Sequence, residues 1–251
     1  MQRVVSLWLA WPCLPAVSQG GAESVNLSAL SGVSLLAQGA ASVVLSATRG
    51  TQRVAVKVVP GELAAAEGRA WAALPPAPCL LKPLAPASLG PLPAAIASLM
   101  PTGSVAAMDG NPAALVTELQ PSSLSDALSA SGAAPRSTAA VGRWASDLAD
   151  ACAHLAAHGV AHCDVATANC MVSAAGGLVL ADLGQAVVGR APEVRSDPSL
   201  LRGRRAAYAA PEFAYARPGT EVSLAAGDVF SAGVVICEMV TGRPPFASGA
   251  A

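Results

Sequence analysis

Along this chain the hydrophobic rhythm shifts from short apolar runs to helical periodicity, and the shift marks the elements. Leu35 to Ala47 is rich in valine, leucine and serine around an internal glycine, and Arg53 to Val59 is an apolar run. With the turn formers Thr48 to Gln52 between them, the two stretches predict a β-hairpin. Glu62 to Leu74 has helical composition and stops at Pro75-Pro76, where the missing N–H and the fixed φ of proline end a helix. Ile96 to Met100 and Ala114 to Leu119 read as short strands, separated by a loop of turn formers from Pro101 to Pro112. From Thr138 to His158, the residues Val141, Trp144, Leu148, Cys152 and Leu155 recur at spacings of three and four, as one buried helix face requires. Gly159 is placed to end that helix in the left-handed conformation. Strands at Met171–Val172 and Leu178–Ala181 flank Gly176-Gly177, and a long loop reaches Pro211. A last apolar helix runs from about Ala226 to Thr241 and ends at Gly242. A strand-rich first third followed by a mainly helical remainder predicts an α+β fold in two lobes.

Composition adjusts this picture in few places. The 251 residues are enough for one large domain or two small ones. The apolar fraction of 53% overstates the core, because much of it is alanine, which buries little surface. Only 12% of residues are charged and the net charge is −1, which argues against a nucleic-acid surface or a polybasic membrane patch. The apolar run Val229 to Val240 contains Glu238 and is short for a bilayer, so no membrane span is expected. Six scattered cysteines without a C-x-x-C pair read as reduced thiols, and with them a cytoplasmic location is expected. Met1-Gln2-Arg3 before apolar Val4 to Val17 has a signal-peptide outline, but Pro12 and Pro15 interrupt it; residues 1–26 are expected to form an unstructured leader. His154, His158 and His162 are spaced by four, as metal ligands on a helix can be, yet Gly159 breaks the helix, so the first two read as ordinary helix residues.

Four short signals occur in order. Val54-Ala55-Val56-Lys57 sets a lysine on a strand, and His162-Cys163-Asp164-Val165-Ala166-Thr167-Ala168-Asn169 follows the long helix. Asp182-Leu183-Gly184 follows the strand ending at Ala181, and Tyr208-Ala209-Ala210-Pro211-Glu212 closes the loop after it. Each alone is weak; in this order and these contexts they resemble the catalytic domain of protein kinases. Asp228 to Val234 and Thr241 to Phe246 extend the resemblance, which covers roughly Leu35 to Phe246. It implies a kinase domain over 27–251, with an N-lobe over about 27–119, a hinge at 118–121 and a C-lobe from 122 onwards. Because the family continues beyond this point, a C-lobe lacking its last helices is expected, with apolar surface exposed on the final helix.

What the resemblance implies for chemistry is Mg-ATP as cofactor and phosphate donor, and a protein hydroxyl as acceptor. Phosphoryl transfer demands positioning and charge stabilisation more than covalent work. By resemblance Lys57 holds the α- and β-phosphates, and Glu67 pairs with Lys57, Glu62 being the competing acid on the same helix. Asp182 and Asn169 are the implied Mg²⁺ ligands, hard oxygen donors both, and Asp164 accepts or orients the hydroxyl proton. Val44 and Ala55 cover the adenine, Thr117 stands at the gatekeeper position, and Glu118-Leu119-Gln120 form the hinge backbone.

The sequence departs from the pattern in places that matter. Across Ala37 to Val44 only Gly39 remains of three glycines that let amides approach phosphates closely. Cys163 replaces the arginine that reads an activation-loop phosphate, so control of that kind is not expected. Ala166 and Ala168 stand where Ser/Thr and Tyr kinases carry their distinguishing lysine and arginine. The Tyr-x-Ala-Pro-Glu ending leans towards Ser/Thr or tyrosine-kinase-like members. An active Ser/Thr-directed kinase is the leading expectation, and a catalytically silent nucleotide-binding or scaffold module is the alternative.

Overall fold

A computed structural model describes residues 25–39, 42–100, 111–130, 137–197 and 205–246. Strands β1 (Ser31–Gln38), β2 (Val43–Arg49) and β3 (Gln52–Pro60) run antiparallel, and helix α1 (Gly61–Ala72) follows. The short β4 (Ser88–Leu89), the single helical turn α2 (Ala94–Ala97) and β5 (Pro112–Glu118) complete a five-stranded sheet of order β1-β2-β3-β5-β4. Its core is Val43, Leu45, Val54, Val56, Val58, Ile96 and Val116. Period-two alternation on β3 buries Val54, Val56 and Val58 there, so Ala55 and Lys57 lie on the opposite face.

Two expectations change. The stretch from Leu35 to Ala47 is not one arm of a hairpin but the second half of β1 plus most of β2, with Gly39 directly after β1. Ile96 belongs to a helical turn rather than a strand: Pro93 at φ −54° leads into α2, and Ile96 alone drops into the sheet's core. Short apolar runs carry too little periodicity to tell the two apart. The loop from 101 to 110 and the leader over 1–24 lie outside the described residues.

The second lobe begins with β6 (Ser122–Ser123) and α3 (Leu124–Ala130), then α4 (Thr138–Ala157) and β7 (Val160–Ala161). Strands β8 (Cys170–Val172), β9 (Leu178–Leu180), β10 (Val187–Val188) and β11 (Arg195–Ser196) are all short. They are followed by α5 (Pro211–Tyr215), β12 (Val222–Ser223) and α6 (Leu224–Thr241). The face predicted for α4 is buried as expected: Leu148, Cys152 and Leu155 pack with Leu180, Val235 and Met239, and Trp71 and Leu74 after β3 reach into the same cluster. Gly159, at φ +69°, sits so close to the β10 side that an added Cβ would meet the Gly189 carbonyl at 2.6 Å.

Helix α6 is longer than the apolar run suggested. At 18 residues it is long and apolar enough to cross a membrane by length and composition, but it packs on α4 and buries Asp228 and Ser231, as a core helix does. Ser223 caps its start through the Ala226 amide (3.3 Å), and Gly242 at φ +77° ends it. Val229 and Val240 on its outer side are exposed, and Phe246 stacks on Phe230 with ring centroids 5.8 Å apart.

The contact of α5 with α6 depends on one glycine. A Cβ on Gly227 would fall inside the Phe213 ring, with Cε2 at 2.7 Å. Gly227→Ala is therefore expected to lower stability by about 1–3 kcal/mol, the range for overpacking a filled core. Thermal melting checks this, and an unchanged midpoint would show that the ring yields freely.

Candidate active site

The first half of the site comes from β3 and α1. The Lys57 ammonium donates to Glu67 Oε2 at 2.9 Å and to Asp182 Oδ1 at 2.6 Å. Glu67 is buried at 5% exposure and lies one helical turn before Trp71, whose indole N–H reaches its other oxygen at 3.5 Å. Glu62, the competing acid, is exposed in the first turn of α1. Burial would depress the Lys57 ammonium, but Asp182 first and Glu67 next outweigh it and hold its pKa above the usual lysine value. Burial pushes Asp182 up, Lys57 pulls it down further, and the net shift is downward. Both partners of the pair are therefore held ionised.

Asp182 follows β9 at φ +68°, a left-handed conformation that costs a non-glycine residue roughly 1–3 kcal/mol. The Gly184 amide donates to Asp182 Oδ1 at 3.0 Å and helps retain that geometry. There is no room at Gly184 for more: a Cβ would meet Asp182 Oδ1 at 2.9 Å, Lys57 Nζ at 3.4 Å and Glu67 Oε2 at 3.7 Å. Gly184→Ala is expected to displace the Asp182 carboxylate with little loss of stability. A fall on the order of 10- to 100-fold in kcat/KM, at a nearly unchanged melting point, is the expected result. Full activity in the variant would mean the carboxylate position is not critical.

The second half is the loop from His162 to Asn169. Asp228, buried on α6, accepts the amides of His162 (2.6 Å) and Cys163 (2.8 Å), and Cys163 is held at φ +63°. Burial pushes Asp228 up to about 7, against the pull of those two amides. The fully buried His162 ring donates from Nε2 to the Ala181 carbonyl (3.0 Å) and accepts the Asp164 amide at Nδ1 (3.3 Å). Burial lowers its pKa, so the neutral ring bolts the loop to the end of β9.

Asn169 Nδ2 donates both to the Asp164 carbonyl and to Asp164 Oδ2, each at 2.8 Å. Arg205 donates to the same Oδ2 at 2.7 Å. Burial raises the Asp164 pKa, and Arg205 and Asn169 offset only part of that rise. With its nitrogen committed to Asp164, Asn169 turns its Oδ1 elsewhere, and Lys57 and Gly184 occupy only Oδ1 of Asp182. An amide oxygen and a carboxylate oxygen remain, both hard donors, and this pair suits Mg²⁺.

The residues assigned to the nucleotide's base line the lower face of the first sheet. Val44 and Ala55 are half-buried on β2 and β3, where Val44 pairs with Lys57 and Ala55 with Thr117 of β5. Glu118 ends β5 and is exposed; the Leu119 amide donates to the Arg53 carbonyl at 3.2 Å, tying that segment to β3. The exposed Gly39 donates its amide to the Ser42 carbonyl at 2.7 Å, and positions 40 and 41 lie outside the described residues.

Three contributions were not read from the sequence. Arg205 carries no periodic or spacing signal. Asp228 stood within a recognised stretch, yet without an assigned role. Tyr208 donates to Glu238 Oε2 (2.6 Å) and accepts from Thr167 Oγ1 (2.9 Å), joining the 162–169 loop to α6; burial raises its phenol to about 12. His154 and His158 donate to the carbonyls of Pro75 (3.1 Å) and His154 (2.8 Å) respectively.

Comparison with known proteins identifies the family. The sequence model of the protein kinase domain matches residues 104–251, a span that holds Asp164, Asn169 and Asp182 but not Lys57 or Glu67. The chain is 37% identical over 124 residues to the serine/threonine-protein kinase PkaA of Streptomyces coelicolor, covering 47% of this chain and 21% of that protein. It is 37% identical over 89 residues to a probable serine/threonine-protein kinase of Corynebacterium efficiens, and 36% identical over 89 residues to the probable serine/threonine-protein kinase PknB of Corynebacterium glutamicum. Each of those two matches covers 35% of this chain and 13% of the relative, so the chain spans less than a quarter of the length of these relatives. The matched span takes in more than half of the chain, and the described lobes carry the ordered motifs on a strand-rich sheet and a helical body: the chain belongs to the protein kinase domain family.

Proposed function

We propose that this chain binds Mg-ATP between its lobes and transfers the γ-phosphate to serine or threonine hydroxyls of a protein. The observation that carries the reading is the closed Lys57–Glu67–Asp182 cluster beside the Asn169–Asp164 pair. Lys57, held ionised, offers its charge to the α- and β-phosphates; Glu67 fixes its direction. Asn169 and Asp182 would hold Mg²⁺, which would supply charge neutralisation at the phosphates. Asp164 orients the acceptor hydroxyl and takes its proton. The Ser/Thr preference draws on the names of the relatives and on the Tyr-x-Ala-Pro-Glu ending. A cytoplasmic location goes with this use of ATP. The test is transfer of labelled γ-phosphate to generic Ser/Thr and Tyr substrates, beside Asp164→Asn. Transfer to Ser/Thr that vanishes in the variant supports the reading, and transfer that persists in the variant overturns the role of Asp164.

A second reading, a nucleotide-binding module without turnover, is favoured by Ala37 and Ser42, which stand where the phosphate-cradling pattern carries glycine. Stabilisation by Mg-ATP without transfer would select it.

A further inference from the structure

Asp164 sits among negative charge. Asp182 directly follows the Ala181 carbonyl that His162 bonds, and Asp228 accepts the amides of His162 and Cys163, the two residues before Asp164. Its own loop brings no cation: Cys163, Ala166 and Ala168 are neutral, and Asn169 offers only an amide. Lys57 is engaged by Glu67 and Asp182. The positive charge at Asp164 comes instead from 41 residues away, where Arg205 Nη1 donates to Oδ2 at 2.7 Å.

That arginine is not a loose surface side chain. Its carbonyl accepts the amides of Tyr208 (3.0 Å) and Ala209 (3.2 Å), forming a tight turn. Tyr208 is in turn fastened by Glu238 and Thr167, and its carbonyl accepts Ser231 Oγ at 2.8 Å. A continuous set of bonds thus runs from α6 to the backbone that carries the guanidinium. Two donors, Arg205 Nη1 and Asn169 Nδ2, converge on Oδ2 and hold that oxygen in place.

We propose that Arg205 is a positioning residue for phosphoryl transfer, holding the Asp164 carboxylate from the turn before α5 and providing the charge that the 162–169 loop, with alanine at 166, lacks. The inference rests on the kinase reading above. An always-charged, forked side chain suits the task better than an ammonium, because it fixes direction as well as charge.

The test uses Arg205→Ala and Arg205→Lys in the full chain, with steady-state kinetics and melting curves on the same preparations. Arg205→Ala is expected to lower kcat on the order of 10- to 100-fold with KM for Mg-ATP unchanged, and Arg205→Lys to recover part of the loss. An unchanged kcat, or a lysine variant no better than alanine, would overturn the proposal. A raised kcat would also overturn it and assign the contact to inhibition. A separate readout needs no turnover: melting of wild type, Arg205→Ala, Asp164→Asn and the double variant. Non-additive midpoints support the pair in solution, and additive ones overturn it. A wild type that transfers no phosphate overturns the kinase reading itself, which distinguishes that failure from a failure of Arg205 alone.

Discussion

Asp164→Asn is expected to remove about 10²–10⁴-fold of the phosphate-transfer rate while leaving Mg-ATP binding intact. The substitution is nearly isosteric. An asparagine oxygen can still accept from Asn169 Nδ2, so the loop keeps its shape and the Oδ1 of Asn169 stays available to a cation. What disappears is an anion able to take a proton from the acceptor hydroxyl, and with it the ionic part of the contact to Arg205. The loss should therefore fall on kcat. Single-turnover transfer measures it, and titration with Mg-ADP reports binding independently. If kcat falls less than about tenfold, below the usual contribution of a general base, proton transfer is not what Asp164 supplies.

Asp228→Ala is expected to have the largest effect on stability, and to abolish activity through the fold. Two buried amides, those of His162 and Cys163, would lose their acceptor. At about 1–3 kcal/mol for each unsatisfied buried donor, the loss is about 2–6 kcal/mol. For a chain of this size each kcal/mol lowers the melting point by roughly 2–4 °C. The left-handed Cys163, now without its anchor, is free to relax, and His162 with it. Asp228→Asn separates the causes, since one amide can keep its acceptor while the charge is gone. Because the folded-state pKa of Asp228 is raised to about 7, the fold holds a proton that the unfolded chain releases at lower pH. The contribution of this group therefore falls as pH rises from the ordinary carboxylate range to about 7, and Asp228→Asn should remove that slope from the melting-point profile. A wild-type melting point lost in Asp228→Ala by less than about 2 °C would mean that water replaces the carboxylate.

These two residues differ in how visible they are. Asp164 stands in a motif whose order along the chain identifies it; Asp228 matters because its carboxylate spans 65 and 66 residues of sequence to meet two amides. Lys57 was readable because period-two alternation on β3 keeps it off the valine core, and a helix face at spacings of three and four announced α4. Both patterns are local, and burial of one face enforces them wherever the chain folds. Ile96 was misread because a four-residue turn has no period to detect.

The sequence by itself pointed to the family, the two-lobed division and the motif residues Lys57, Asp164, Asn169 and Asp182, since these depend on local periodicity and on ordered motifs. Tertiary structure decided which charges meet. Glu67 and not Glu62 reaches Lys57, because the turn of α1 that carries Trp71 is the one that faces inward. Arg205 answers Asp164, and Asp228 clamps the loop, through contacts that bridge distant segments. Coulomb attraction and hydrogen bonding act over a few ångströms of space without regard to separation along the chain, so only the assembled fold could assign those partners.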